Sequence, residues 1–292
     1  MRIPEKPTRR RLLGTTSIAA TIATAGCLRL VSGDDEGSFD PEEGIERTSA
    51  QLGIALEPDA IDSRALISSC RFDGDEVLDG AITFNAYTPD AERIEHAETV
   101  AGSRTAEPPG YELTRLFTAD GDATLRFDHT VSLSEDRPLL TIETAVTNEG
   151  DRSVTIDRPD NHLHDGVILT RLPKLADVSG AYRYYVSGND VYVASESEYW
   201  QEHFIESDLP FVTNFDDEKG ISVGILDGPT GVTNAVTRRR GDAVAGIDLC
   251  VGGLEIAPDA TATYRSVVAV HDGGDAVPER PRELLDRADS NR

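Results

Sequence analysis

Residues 124–133 read TLRFDHTVSL, and apolar residues recur there with a period of two. This period is typical of a β-strand with one buried face. Residues 139–148, LLTIETAVTN, repeat the pattern, and the polar turns SEDRP at 134–138 and EGDRS at 149–153 bound it. The stretch therefore predicts a meander of antiparallel strands, as in a β-sandwich.

The same succession of strand-like segments and polar turns continues in both directions along the chain. Only residues 278–287 have helical spacing, with Leu284 and Leu285 as apolar contacts. The expected fold is all-β, a large antiparallel β-sandwich with a short C-terminal helix. Further strands are predicted at 65–72, 79–87, 111–118, 166–171, 182–186, 190–195, 210–215, 220–227, 231–237, 244–251 and 261–270.

Three stretches resemble the galactose-mutarotase-like supersandwich domains of sugar-processing enzymes. Residues 127–151 are similar to their paired central strands, where a T-N-x-G turn recurs. Residues 214–224 are similar to a late hairpin, and residues 254–264 to the closing strand, with Asp259 in place of glycine. The resemblance implies a supersandwich fold and a sugar-related role. No segment matches the catalytic histidine and glutamate of the mutarotases, so it assigns no catalytic residue.

The N-terminus predicts export and lipid anchoring. Residues 8–13, TRRRLL, resemble the twin-arginine motif through Arg9 and Arg10. The uncharged stretch that follows is shorter than the about 20 residues of a membrane-spanning helix. It ends in TAGC, which resembles a lipobox although Thr24 stands where leucine is commonest. We predict that the twin-arginine translocase exports the chain and that Cys27 carries the lipid. The alternative is a cleaved secretory signal with a chance cysteine.

An acidic segment follows the lipobox. Residues 32–46 are rich in acidic residues, glycine, serine and proline, and like charges extend such a linker. The predicted organisation is therefore a signal and lipobox at 1–27, a flexible tether at 28–48 and one β-sandwich domain at 49–292.

The chain is strongly acidic, with a net charge of −25. The first 26 residues hold five basic side chains and one acidic, so the remainder carries −29. Such a surface repels nucleic acid and anionic lipid headgroups. Lysine is nearly absent, occurring only at 6, 174 and 219. Acidic, lysine-poor composition resembles proteins of salt-loving archaea, and we expect a halophilic protein.

The segment DNHLHD at 160–165 is the densest polar cluster. On a strand, His162 and His164 would lie on one side. They are the candidate catalytic residues, as acid–base groups near neutral pH. They are also candidate metal ligands, with His203 or Glu198 as the third. The alternative is a loop with two solvated histidines.

Five tyrosines and the only tryptophan are close together in the sequence. Aromatic faces pack against the apolar faces of sugar rings, so these residues are candidates for a ligand platform. Tyr184 and Tyr185 must face opposite ways on a strand, and core packing is the alternative. The ligand-binding candidates are Tyr182, Tyr184, Tyr192, Tyr199 and Trp200.

The sequence predicts no standard catalytic template. We expect no Gly-x-Ser-x-Gly nucleophile elbow, no phosphate-binding loop before a helix and no His-Glu-x-x-His zinc motif. We accordingly expect no cofactor. Carboxylates are too abundant for a glycosidase pair to be singled out.

Two cysteines remain once Cys27 is acylated. Cys70 and Cys250 both lie in strand-like runs, and thiols outside the cell tend to pair. A disulfide between them is predicted, the alternative being two separate buried thiols.

These patterns predict a lipoprotein on the extracellular face of the cell membrane, held to the bilayer through Cys27. Its β-sandwich would bind an extracellular ligand, with a glycan as the candidate and nucleic acid excluded. The alternatives are a carbohydrate-active enzyme, epimerase- or lyase-like, on the same sandwich, and a structural envelope lipoprotein.

Overall fold

The structure is a computed structural model. It describes residues 37–38, 44–49, 51–61, 65–85, 98–118, 124–156, 167–188, 190–193, 200–205, 209–227, 234–240, 243–251, 254–274, 277, 279 and 283. The chain divides into two compact units, Met1–Asp34 and Asp35–Arg292, and every described residue belongs to the second. The predicted export motif with Arg9 and Arg10, the lipid site Cys27, and His162, His164 and Tyr199 lie outside the described residues.

The described residues form 23 strands. In chain order they are β1 (Gly37–Ser38), β2 (Ile45–Thr48), β3 (Leu52–Leu56), β4 (Ala65–Ile67), β5 (Ser69–Phe72), β6 (Asp75–Glu76), β7 (Leu78–Asp79), β8 (Ile82–Asn85), β9 (Glu98–Thr105), β10 (Gly110–Thr118), β11 (Thr124–Leu133), β12 (Leu139–Asn148), β13 (Val154–Ile156), β14 (Val167–Leu175), β15 (Arg183–Val186), β16 (Val191–Val193), β17 (Trp200–Phe204), β18 (Phe211–Phe215), β19 (Lys219–Asp227), β20 (Asn234–Arg240), β21 (Ala243–Val251), β22 (Leu254–Ile256) and β23 (Thr261–Asp272).

Most of the strands belong to two large antiparallel sheets. The ten-stranded sheet has the order β1-β9-β10-β11-β12-β23-β19-β18-β15-β16. The seven-stranded sheet has the order β17-β20-β21-β14-β8-β4, with β7 also paired to β14. A four-stranded sheet, β2-β3-β5-β6, and the pair β13-β22 complete the fold. The prediction of a large antiparallel β-sandwich is confirmed.

Alternation in the sequence determines which face of the ten-stranded sheet is buried. Along β11, Leu125, Phe127, His129, Val131 and Leu133 are buried, whereas the residues that alternate with them are more exposed. β12 repeats this pattern and pairs with β11 in register, Val131 opposite Ile142. We call the side with these buried residues the inner face, and the other side the outer face.

The inner face packs against the seven-stranded sheet. Phe84 of β8 lies 5.9 Å from Phe127 and 6.2 Å from Tyr264 between ring centroids. The hydroxyl of Tyr111 on β10 donates to the Leu66 carbonyl on β4. These contacts fix the two sheets face to face, with one continuous apolar core between them.

A buried arginine joins β10 to the segment before β4. Arg115 donates through Nη2 to the carbonyls of Ile61 at 3.0 Å and Ala65 at 2.7 Å. Its stem lies on the inner face, where the aliphatic carbons can pack while the guanidinium satisfies backbone acceptors.

Asn148 explains the T-N-x-G turn. Its Nδ2 donates to the carbonyls of Arg152 at 2.6 Å and Ile256 at 2.9 Å, and its Oδ1 accepts from the Gly150 amide at 3.0 Å. The side chain is fully buried. One amide thus closes the turn after β12 and ties it to β22.

The predicted start of the domain at residue 49 is wrong. β1 pairs with β9 and β2 pairs with β3, so described parts of the predicted tether lie in sheets. Ile45 is buried in the core, and Arg47 Nε donates to the Gly110 carbonyl at 3.0 Å. Composition suggested a linker because the apolar residues of this short strand are few.

Cys70 is a free, buried thiol, so the structure does not contain the predicted disulfide to Cys250. Cys70 lies in the four-stranded sheet, opposite Ile54, whereas Cys250 lies on β21 of the seven-stranded sheet. Burial, and then the charge of Glu76, raise the pKa of the Cys70 thiol to about 12. This cysteine therefore behaves as a small apolar core residue.

The predicted C-terminal helix lies outside the described residues except for Glu279 and Glu283. Within the described ranges, no helix has the length and apolar character needed to cross a membrane. The sequence also missed β9 and β17, which carry weak alternation.

Candidate functional site

A row of three polar side chains crosses the inner face of the ten-stranded sheet. His129 on β11 pairs with Thr144 on β12, and Thr144 pairs with Tyr264 on β23. Directly paired residues project from the same side of a sheet. All three are almost wholly buried among apolar neighbours. We call them the His129 row.

Aromatic rings enclose the His129 row. The His129 ring stacks on Phe127 at 6.1 Å with an interplanar angle of 15°, and Phe84 lies 5.8 Å from it across the sandwich. His129 Nδ1 and Thr144 Oγ1 are 2.9 Å apart and share a hydrogen bond. The Tyr264 hydroxyl is buried and has no hydrogen-bond partner. The row therefore contains a polar group whose hydrogen-bonding capacity is unused.

The electrostatics of the row favour binding over proton transfer. Burial, and then the Arg115 charge, hold the pKa of His129 well below its usual value, so its imidazole is neutral at neutral pH. Burial raises the pKa of Tyr264 to about 12, so its phenol keeps its proton. A neutral imidazole of low pKa is a weak general base, whereas both rings can hydrogen-bond a neutral ligand.

Of the predicted ligand-binding tyrosines that the structure describes, Tyr184 and Tyr192 lie together on one surface. Tyr184 and Tyr192 pair across β15 and β16 and stack on the inner face, with centroids 5.0 Å apart and an interplanar angle of 13°. Tyr184 is buried, and Tyr192 is half-buried. Tyr185 projects from the outer face and packs on Phe211 at 5.6 Å. Tyr182 packs against the core, and burial raises the pKa of its phenol.

The other predicted site residues that the structure describes, Trp200 and His203, lie in a different sheet from these tyrosines. Trp200 and His203 lie on β17, at an edge of the seven-stranded sheet, whereas Tyr184 and Tyr192 lie near an edge of the ten-stranded sheet. Among the described side chains, no group of three or more His, Cys, Asp and Glu residues could hold a metal ion. The roles predicted for His162, His164, His203 and Tyr199 stay predictions.

The prediction that Gly-x-Ser-x-Gly is absent is wrong, because residues 220–224 read GISVG. Ser222 Oγ lies 2.9 Å from His271 Nε2 and 2.6 Å from Thr213 Oγ1, and His271 Nδ1 lies 2.7 Å from the Asp272 carbonyl. A nucleophile elbow needs a strand-to-helix turn, but Ser222 is fully buried within β19. The sheet occupies the backbone amides around it, which an oxyanion would need. The arrangement is therefore a structural network of the outer face.

Sequence reasoning missed the His129 row, although one signal was available. In TLRFDHTVSL the histidine occupies a position of the apolar face, between Phe127 and Val131. A polar ring at such a position must be buried. Its partners Thr144 and Tyr264 could not be identified, because strand pairing between distant segments determines them.

No protein-family model matches the chain, and no curated protein matches its sequence. Solved structures do share its fold. An α-galactosidase from Lactobacillus brevis superposes with a TM-score of 0.52 at 11% identity, over 79% of this chain and 40% of that one. A galactose mutarotase related enzyme from Lactobacillus acidophilus gives 0.51 at 10% identity, over 80% and 98%.

A third structure, described as a putative aldose 1-epimerase from Klebsiella pneumoniae, gives a TM-score of 0.50 at 11% identity, over 76% of this chain and 77% of that one. This chain matches only about two fifths of the length of the α-galactosidase. At such identities the likeness shows the fold alone. It supports the supersandwich resemblance seen in the sequence.

Proposed function

We propose that this protein is a cell-surface lipoprotein whose β-sandwich binds a neutral carbohydrate at the His129 row. The observation that carries the proposal is the buried Tyr264 hydroxyl without a partner, beside the His129–Thr144 hydrogen bond. An unsatisfied buried hydroxyl costs on the order of 1–3 kcal/mol. A sugar hydroxyl would supply the missing hydrogen bond.

The surroundings of the row suit a sugar ring. The aromatic rings of Phe84 and Phe127 border the row, and aromatic faces pack on the C–H face of a pyranose. The neutral His129 and the protonated Tyr264 favour an uncharged ligand. The solved structures that share this fold include an α-galactosidase, a galactose mutarotase related enzyme and a protein described as a putative aldose 1-epimerase, which supports the choice of galactose as first probe.

Binding is tested with a pair of hydroxyl deletions. Tyr264→Phe removes only the unpartnered hydroxyl, so we expect at least tenfold weaker galactose binding in calorimetry and unchanged or slightly higher stability. Tyr111→Phe removes a buried hydroxyl that donates to Leu66, so it should lower stability and leave binding intact. Equal galactose affinity in wild type and Tyr264→Phe would contradict the site.

The same samples distinguish binding from turnover. We expect the rate of anomer exchange of galactose, followed by NMR, to be unaffected by the protein. Acceleration that is lost in the double variant His162→Ala, His164→Ala would favour the epimerase alternative instead.

The anchor is proposed from the sequence around Cys27, which resembles a lipobox after a twin-arginine motif. Cys27→Ser should release the protein from the membrane fraction or leave it uncleaved, as measured by fractionation and intact mass. A variant that stays membrane-bound, with the mass of wild type apart from the substitution, would contradict lipidation at this residue. The acyl group would hold the domain at the external face of the bilayer.

A further inference from the structure

A second unused polar atom lies on the inner face, away from the His129 row. Asn214 of β18 is fully buried, and its Nδ2 donates to the Pro173 carbonyl on β14 at 2.8 Å. Its Oδ1 is buried and has no partner. Exchange of the amide atoms would place Oδ1 against the Pro173 carbonyl, acceptor against acceptor, so the orientation is fixed.

Aromatic rings lead from the sheet edge to this oxygen. Asn214 pairs directly with Tyr184, and Tyr184 pairs with Tyr192 of the edge strand β16. The two phenol rings stack, and Tyr192 is half-buried. Tyr192, Tyr184 and Asn214 thus form a line that runs from the half-buried Tyr192 ring to the buried acceptor Asn214 Oδ1.

We propose that Asn214, Tyr184 and Tyr192 form a second binding subsite, which takes the ring of a neutral sugar and accepts a hydrogen bond from one of its hydroxyls at Asn214 Oδ1. The acceptor needs a donor, and the aromatic rings supply apolar area without charge. A valine or leucine at 214 would fill such a core position without an unsatisfied atom. A ligand hydroxyl at this position would give Asn214 Oδ1 the donor that the described residues do not supply.

The subsite is independent of the His129 row. Asn214 on β18 pairs with Ile221 on β19, and Ile221 pairs with Val270 on β23. Along β23, Val270 is six residues from Tyr264, which belongs to the His129 row. At about 3.4 Å per residue and 4.8 Å per strand, the two sites are roughly 20 Å apart along β23 and roughly 10 Å across the sheet. The buried residues Val223 and Val268 lie between them. One sugar ring cannot occupy both.

The test is the stoichiometry of galactose binding, measured by calorimetry in about 2 M salt. Wild type should bind two equivalents. Tyr192→Leu and Asn214→Leu should each bind one equivalent of galactose. That equivalent should be lost only when Tyr264→Phe is added to either variant. The matched control is Tyr185→Leu on the same strand pair, whose side chain faces the outer face and packs on Phe211; it should still bind two.

The outcomes separate this inference from the proposed function. One equivalent in wild type, unchanged by Tyr192→Leu and removed by Tyr264→Phe, would overturn the second subsite and leave the first. Two equivalents unaffected by Tyr192→Leu would also overturn it, as would a high-resolution crystal structure with galactose that shows only water at Asn214 Oδ1. Because Tyr192 is half-buried on the edge strand whereas Asn214 is fully buried, the Tyr192→Leu variant keeps the test valid if Asn214→Leu fails to fold.

Discussion

At the residue scale, the buried amides of this sandwich have two different uses. Asn148 satisfies both its donor and its acceptor within the fold, across one turn and one neighbouring strand. Asn214 uses only its donor. The difference separates an amide that stabilises the fold from one that is available to a ligand.

Asn148→Ala should lower the free energy of unfolding by roughly 2–3 kcal/mol, because it leaves the buried Ile256 carbonyl and the part-buried Arg152 carbonyl and Gly150 amide without these hydrogen bonds. Chemical denaturation in constant salt measures this. The control is Thr147→Ala, which removes only an exposed 2.8 Å hydroxyl pair with Thr261 and should cost less than about 1 kcal/mol. If the two variants are equally stable, the structural account of the T-N-x-G turn is wrong.

At the element scale, the local sequence pattern predicted where strands occur but not which strands pair with one another. The alternation of β11 and β12 and the polar turn between them predicted both strands with the bounds that the structure shows. The pairing of β12 with β23 brings together Thr144 and Tyr264, and no local feature encodes it. The His129 row was therefore unpredictable as a constellation, although the inward position of His129 was predictable. β2 was missed because four residues with one buried apolar side chain give no period.

Removal of β1 and β2 together should destabilise the domain. A chain that begins at Ser49 loses the burial of Ile45, worth about 1.5–3 kcal/mol, and the hydrogen bond from Arg47 to Gly110. Against a chain that begins at Asp35, its melting temperature should be lower by several degrees. Identical melting temperatures would restore the predicted boundary at residue 49.

At the scale of the whole molecule, charge is the dominant feature that the fold does not explain. Residues after 26 carry a net charge of −29, and the described ion pairs are mostly exposed. Exposed pairs contribute little to stability, about 0–1 kcal/mol each. We therefore expect that salt in the solution reduces the repulsion among the carboxylates.

We expect stability to rise with salt. The Debye length falls from about 30 Å at 0.01 M to about 3 Å at 1 M, which removes most repulsion between surface carboxylates. Circular dichroism should show loss of β-sheet on dialysis into about 0.01 M salt, and its recovery when salt is restored. A melting temperature that stays constant between these salt concentrations would contradict the halophilic interpretation.

The position of β23 affects how the protein can be made. It is the last strand in the part of the chain that the structure describes, yet it lies between β12 and β19 in the ten-stranded sheet. A ribosome adding about 5–20 residues per second needs roughly 6–25 seconds to extend the nascent chain from β12 to the end of β23. During that interval β12 has an unpaired edge, which is a template for association with other nascent chains. The sheet can therefore close only after β23 has been synthesised, and export by a translocase that accepts folded cargo, as proposed for this chain, is compatible with this order of events.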